Sequence, residues 1–584
     1  MQKKEMIKKR LIKIYGREKG KAAFKKLYPQ LEQFSRPKIR KKELFSENDI
    51  VLITYANSLH KKGESPLQAM HGFAGRFFKN VFSAIHFLPF FPFSSDDGFS
   101  IMDYHAVDPA NGTWNEIKKT GADFGLMFDL VLNHISAKSR WFAKYLDQEQ
   151  GYADLAIEVD PETDLSQVTR PRSLPLLTQY QKTSGKKINV WTTFSADQID
   201  LNFASVDVLS KIVGVMLDYI RRGASILRLD AIAYLWKKTG TSCIHLEKTH
   251  EIVKLLRSIL DLVAPEVIII TETNVPHEEN ISYFGNGVDE AQMVYNFTLP
   301  PLMLYTFMAG DSTNLCNWAK GLGLKSKKNT FFNFSASHDG IGVRPLEGIL
   351  EKDKIEEVIA LVKENGGQVS YKNNPDGSKS PYELNITYVD AMGTVKKADD
   401  PWHAARFLAS QAIQLVLPGV PAIYIHSILG SHNWQEGVSQ TKRARTINRQ
   451  KLDIDDVIKQ LRDPSSFRST IFYPYINLIK IRKKQSPFHP TAFFKLLEIN
   501  SDVFAIERRA KGQTIYALTN VTNKLVSISM KPYTSKTKIL DLISQKIINP
   551  ALLILTPYQS VWLRNGDETT STSRRTDLGQ VCSI

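Results

Sequence analysis

The chain of 584 residues is 42% hydrophobic and 23% charged, a globular composition with room for a large catalytic domain and a smaller companion. No apolar run approaches the ~18 residues that a membrane-spanning helix needs, and the start, MQKKEMIKKRLIKIYGREKG, lacks the apolar stretch and cleavage site of a secretory signal. Three widely spaced cysteines (Cys243, Cys316, Cys582), with no CxxC or Cys/His pattern, argue against disulfides and zinc and make a reducing cytoplasm the expected location.

The net charge of +16 is concentrated at one end. Residues 1–44 hold 16 Lys and Arg against 4 Asp and Glu, a net of +12. Such an arm fits either a contact with nucleic acid or membrane surface, or a solvated helical extension packed on the main domain. No RNP, zinc-finger or helix-turn-helix pattern supports the first reading, so a basic helical extension with no nucleic-acid or membrane partner is expected.

Short, nearly continuous apolar runs follow at 50–56 (IVLITYA), 82–90 (FSAIHFLPF), 124–134 (FGLMFDLVLNH), 226–232 (ILRLDAI), 267–273 (VIIITET), 291–297 (AQMVYNF), 331–339 (FFNFSASHD) and 422–427 (AIYIHS). They read as parallel strands covered on both faces. Helical patterns lie between them; in one, Ile252, Leu255, Leu256, Ile259 and Leu260 share a face and Pro265 stops the run. Eight such units predict an α/β fold, a (β/α)8 TIM barrel over residues 45–490. The connections 141–205 and 340–400, after the third and seventh strands, are too long to be simple. Both leave the C-terminal strand ends, where barrel active sites sit. Alternating strands from 491 to 565 predict a small antiparallel β domain, and the polar stretch 566–584 a disordered tail.

Several predicted core strands end in residues that a buried strand should avoid. The third carries Asp129, Asn133 and His134, the fourth Arg228 and Asp230, the fifth Glu272, and the seventh His338 and Asp339. Arg228 and Asp230 are two apart on a strand and so point the same way. Buried charges cost several kcal/mol each unless paired, and carboxylates gathered on one rim repel one another. Such a set is better explained by chemistry than by packing. Glycosyl transfer needs this kind of inventory: a nucleophilic or basic carboxylate, a carboxylic acid of raised pKa, and negative charge near a cationic sugar.

The segments DLVLNH, LRLDAIAY, ITETN and FSASHDG resemble, in order and strand position, the four conserved motifs of the α-amylase superfamily, glycoside hydrolase family 13. RPRSLPLLT, VWTTFSADQIDLNF, GTSCIHLEKTH, LPGVPAIYI and TINR resemble its sucrose phosphorylase subgroup. NNPDGSKSPYELNITYVDAM is especially similar to the glucosylglycerate phosphorylases of that subgroup. The resemblance implies Asp230 as nucleophile, Glu272 as general acid/base and Asp339 as transition-state stabiliser, with His338 beside it. It implies Arg228 as the orienting cation, Asp103 and His134 on the far side of the glucosyl ring, Arg449 as a sugar-subsite arginine and Tyr234 as an aromatic wall. Arg172 and Arg170 would contact phosphate, Arg172 more directly, and Tyr382 and Glu383 would line a mobile acceptor loop with Gly377 as a hinge.

Two departures bear on the leaving group. Asn274 stands where sucrose phosphorylases carry His, and Glu383 where they carry Gln; Lys379 is a candidate partner for the Glu383 charge. α-Amylases hold calcium near Asn133. Here no metal and no cofactor are expected beyond phosphate as co-substrate, with Asn133 ordering the loop. The implied activity is retaining phosphorolysis of 2-O-α-D-glucosyl-D-glycerate to α-D-glucose 1-phosphate and D-glycerate, by a monomer or homodimer acting on small molecules. The alternatives are a sucrose or sucrose 6-phosphate phosphorylase, or an α-glucoside hydrolase or transglucosylase. A non-catalytic amylase-like subunit would have lost the carboxylates that this chain keeps.

Overall fold

Eight parallel strands close into a barrel: β1 (Val51–Thr54), β2 (Ala84–Phe87), β3 (Gly125–Leu130), β4 (Ala224–Leu229), β5 (Ile268–Thr271), β6 (Met293–Tyr295), β7 (Thr330–Phe334) and β8 (Val420–Tyr424). Each pairs with its neighbours in sequence, and β8 closes on β1 with Val51 opposite Ala422. The computed structural model describes residues 2–35, 43–172, 174–373, 378–394 and 400–565. The basic run 36–42, the expected hinge Gly377 and the expected tail 566–584 lie outside the described residues.

The apolar runs overshoot the strands at their C-terminal ends. The run 124–134 is strand only to Leu130, and the run 331–339 only to Phe334. Most of the overshoot carries the polar groups, and these leave the ladder to form the rim. Asp129 and Arg228 remain inside the strands, fully or almost fully buried and paired with each other.

The two long connections, expected as loops, contain ordered elements. The first holds the helix Arg140–Leu146, a hairpin of Leu177–Gln181 with Lys187–Trp191, and the strand Gln198–Asp200, which pairs antiparallel with His134–Ser136. The second holds the helix Lys352–Glu364 and a hairpin of Gln368–Asn373 with Lys379–Asn385. Polar outer faces hid these elements, because short hairpins on a barrel rim bury only alternate residues.

The N-terminal arm forms two helices packed on each other, α1 (Gln2–Tyr15) against α3 (Glu247–Val263), whose C-cap Ala264 precedes Pro265, and α2 (Arg17–Glu32) against the helix Val206–Arg221. Ile7, Leu11 and Ile14 recur on one helical face and are buried. Arg10 pairs with Glu251 (3.0 Å) and Asp289 (3.2 Å), and Lys13 with Glu247 and Glu251 (2.9 Å each), so part of the arm's charge meets acidic groups of the barrel.

At the other end, six strands from Phe493 to Asn565 form an antiparallel sheet. In Val503–Ala510, Phe504 and Ile506 join the barrel core. Val503 and Ala505 point oppositely and pack on the separate antiparallel pair of Val526–Ile528 with Leu553–Leu555. A sheet with both faces covered by different partners explains why this region alternates without becoming polar on one side.

Candidate active site

Arg228, on β4, organises the floor of the rim. Its Nη1 donates to Asp129 Oδ1 (2.5 Å) and to Asp230 Oδ1 (2.7 Å), and its Nη2 lies 3.8 Å from Glu272 Oε2. Asp129 meets buried His86 on its other oxygen, at 2.7 Å from Nε2. One guanidinium therefore contacts three carboxyl groups from β3, the end of β4 and the end of β5. The backbone assists: Ala231 turns at φ 49°, the left-handed region, and its N–H donates to Glu272 Oε2 at 2.9 Å. A non-glycine residue there carries local strain, placed directly after Asp230.

Burial and neighbours divide the protons unequally. Burial pushes the Glu272 carboxyl up to about 7; Arg228 opposes this, and the Asp230 and Asp339 charges add to it. Burial also raises Asp230, against the pull of Arg228. For Asp339 burial acts in the same sense, but Arg445, His338 and Arg449 outweigh it and hold the group well below the usual carboxylate range. Arg445 Nη1 lies 2.6 Å from Asp339 Oδ1. A carboxyl that keeps its proton near neutrality, beside the Asp339 carboxylate that does not, supplies the acid that glycosyl transfer needs.

These groups line an inner cavity of about 80 Å³ that opens on an outer one of about 560 Å³; Asp96, Arg172, Tyr382, Glu383 and Arg445 line both. His134, Arg228, Asp230, Glu272, Asn274, His338 and Asp339 line the inner cavity, and Arg449 the outer one. His134 Nε2 lies 2.9 Å from the Phe99 carbonyl, and the His338 ring stacks on Phe99 at 4.8 Å. Burial lowers His134 and takes His338 down to about 3, so both are neutral near neutral pH.

Four expectations need correction. Asp103 does not line either cavity; its carboxylate accepts the His105 N–H (2.8 Å) in a local turn, and Asp96, seven residues earlier, faces the site instead. Tyr234 is outside the linings of both cavities; its ring meets Phe194 edge-on at 5.5 Å, and Phe99 and Phe194 are among the rings that line the inner cavity. Arg170 is exposed and outside both cavities, because in the Arg-Pro-Arg run only Arg172 turns inward to pair with Asp96 (2.9 Å). The partner of Glu383 is Arg445, through two bonds of 2.9 Å, and not Lys379. Sequence reasoning missed Asp96, Asp97 and Arg445. The available signals were the doublet in SSDDG and the second arginine four residues before Arg449 in ARTINR.

Asn133 accepts from Lys237 Nζ (2.8 Å), which also meets the Tyr234 carbonyl (2.5 Å) and Asp200. A buried ammonium thus sits among three oxygens at the loop base. Among the described residues, no group of three or more His, Cys, Asp or Glu side chains is disposed to hold a metal ion.

A closed parallel barrel with acid and carboxylate groups on its C-terminal rim, followed by a β-sheet domain, defines an α-amylase-type protein. Residues 79–337 match the family model described as the alpha amylase catalytic domain. A glucosylglycerate phosphorylase of Escherichia coli (strain K12) is 46% identical over 563 residues, covering 96% of this chain and 100% of that protein. A glucosylglycerate phosphorylase of Spirochaeta thermophila is 47% identical over 519 residues, covering 87% and 88%. The crystal structure of a sucrose 6F-phosphate phosphorylase from Thermoanaerobacter thermosaccharolyticum superposes with a TM-score of 0.72, covering 90% of this chain and 99% of that one; at 24% identity this is a likeness of fold. The chain belongs to glycoside hydrolase family 13, the α-amylase superfamily, on the branch that holds these glucosylglycerate phosphorylases.

Proposed function

We propose that this protein is a retaining glycoside phosphorylase that converts 2-O-α-D-glucosyl-D-glycerate and phosphate to α-D-glucose 1-phosphate and D-glycerate. The observation that carries this reading is the 46% identity to a glucosylglycerate phosphorylase across almost the whole of both chains. The unequal proton affinities of Glu272 and its neighbours agree with it.

In the proposed sequence, Asp230 attacks the anomeric carbon while Glu272 gives its proton to the glycosidic oxygen. Glycerate leaves, and a β-glucosyl ester remains on Asp230. Phosphate enters the vacated acceptor space, Glu272 accepts its proton, and phosphate oxygen displaces Asp230. Two inversions preserve the α configuration. Arg228 holds Asp230 in place and balances its charge, and Asp339 stays ionised to face the positive charge that develops on the sugar. Arg172, at the boundary of the two cavities, is placed for an anionic acceptor; its planar fork suits phosphate oxygens. The reaction uses no cofactor beyond phosphate. Among the described residues no helix is long and apolar enough to cross a membrane; a cytoplasmic location is part of the proposed reading.

The test is direct. Purified protein with glucosylglycerate should release glucose 1-phosphate only when phosphate is added. Free glucose, formed equally fast with and without phosphate, would assign hydrolysis instead.

A further inference from the structure

The acceptor side of the site presents a problem of charge. Phosphate and glycerate are both anions, yet each arginine lining the two cavities, among the described residues, already holds a carboxylate. Arg172 pairs with Asp96 (2.9 Å), Arg449 with Asp97, Arg443 more loosely with Asp97 (3.6 Å), and Arg228 with Asp129 and Asp230. Arg445 is the most fully engaged. Its Nε and Nη2 donate in parallel to the two oxygens of Glu383, 2.9 Å each, and its Nη1 reaches Asp339. An anion entering this space therefore competes with resident carboxylates for these guanidinium groups.

Glu383 is the resident that an anion can replace. Asp339 contacts Arg445, His338 and, at 3.9 Å, Arg449, and sits on the short segment beyond the barrel strand that ends at Phe334. The Glu383 carboxylate has only the Arg445 fork as partner among the described residues. It rides on the rim hairpin rather than the barrel, in a ladder whose register shifts between Ser370 and Tyr371. Its seat is built: a Cβ on Gly340 would lie 2.5 Å from Glu383 Cγ, so only the glycine of the SHDG motif admits this side chain. The carboxylate is 4% exposed, and its residue lines both the inner and the outer cavity. The two parallel bonds it makes are those a phosphate or a substrate carboxylate would make with the same fork.

We propose that Arg445 is the anion-binding residue of the acceptor site, and that Glu383 is a built-in competitor that fills its fork until phosphate or glycerate displaces it. This deepens the phosphorylase reading and rests on it. Two like charges do not share one fork in a buried site, so acceptor and Glu383 exclude each other. A neutral acceptor brings no charge to repay the broken pair, so the exchange selects anions over sugars and polyols of similar size.

The test compares the full-length wild type with Glu383→Gln, Glu383→Asp and Arg445→Lys by initial rates, with phosphate varied at saturating glucosylglycerate. Glucose 1-phosphate is also offered to glycerate or to glycerol. Removing the competitor should lower the KM for phosphate about 5-fold or more in Glu383→Gln and raise the rate with glycerol relative to glycerate about 10-fold. Glu383→Asp, one methylene short of the fork, should lie between. Arg445→Lys should raise the phosphate KM about 10-fold or more. A phosphate-induced rise in melting temperature, larger in Glu383→Gln than in wild type, provides a readout that does not need turnover. A phosphate KM raised in Glu383→Gln as much as in Arg445→Lys would overturn the proposal, making Glu383 a fixed clamp for Arg445. An unchanged KM in both would place the anion elsewhere and also overturn it. If the wild type itself forms glucose regardless of phosphate, the phosphorylase reading fails first, and the two failures are distinct.

Discussion

The raised affinity of Glu272 for its proton makes a quantitative prediction for catalysis. Its carboxyl is lifted from 4.5 to about 7 by burial and by the charges of Asp230 and Asp339, against Arg228. As the proton donor to the leaving glycerate oxygen, Glu272 acts only when protonated. The kcat/KM for glucosylglycerate isolates the donor half-reaction and reports the free enzyme. It should be level in the weakly acidic range and fall above about pH 7, reaching about one-tenth of the plateau at pH 8 and losing a further factor of about ten per pH unit. With a carboxyl of ordinary affinity the fall would already be complete well below neutrality. The control is α-glucosyl fluoride, whose leaving group needs no proton from the enzyme, and its profile should stay flat across the same range. Stopped-time assays of glycerate and fluoride release at saturating phosphate measure both. An inflection near pH 4.5 with the natural donor would refute the argument from burial. The same inflection with both donors would show that some other group titrates.

The same carboxyl predicts a trade of stability against activity. The folded protein holds the Glu272 proton more tightly than the unfolded chain does, so stability is lost as pH rises from about 4.5 through about 7, by roughly 3 kcal/mol once both states are ionised. Glu272→Gln removes that loss. By urea denaturation it should be more stable than the wild type by up to this amount at pH 8 and nearly equal at pH 4, while its turnover of glucosylglycerate falls about 100-fold or more. The correction at the glucosyl end is tested by a pair of substitutions. Asp96 bonds Arg172 (2.9 Å) and Gln198 (3.2 Å) at the junction of the cavities, so Asp96→Asn should lower kcat/KM about 100-fold. Asp103 caps a turn away from them, so Asp103→Asn should stay within about 3-fold. Equal effects in steady-state assays would contradict the cavity assignment.

What the chain announces on its own is local. Each barrel strand is legible because a strand buried on both faces must be apolar throughout. Each polar interruption at a strand end is legible because a charge in such a run is costly and therefore conspicuous, as with Arg228, Asp230 and Glu272. The stripe of Ile7, Leu11 and Ile14 marks a helix for the same reason. Pairing is a different matter, because charges meet across the fold without any rule of spacing. The fork of Arg445 reaches Glu383 over 62 residues and Arg449 reaches Asp97 over 352. Asp103 and Asp96 are both carboxylates on one rim segment, and only the turn through Asp96 and Asp97, at φ 54° and 50°, decides which of them faces the cavity. Arg170 and Arg172 differ in the same way, by the direction of a loop that no hydrophobic pattern constrains. Periodicity and burial cost therefore placed the barrel and its acidic rim, while closure of the barrel and the two rim hairpins decided which charges stand close enough to hold or release a proton or an anion.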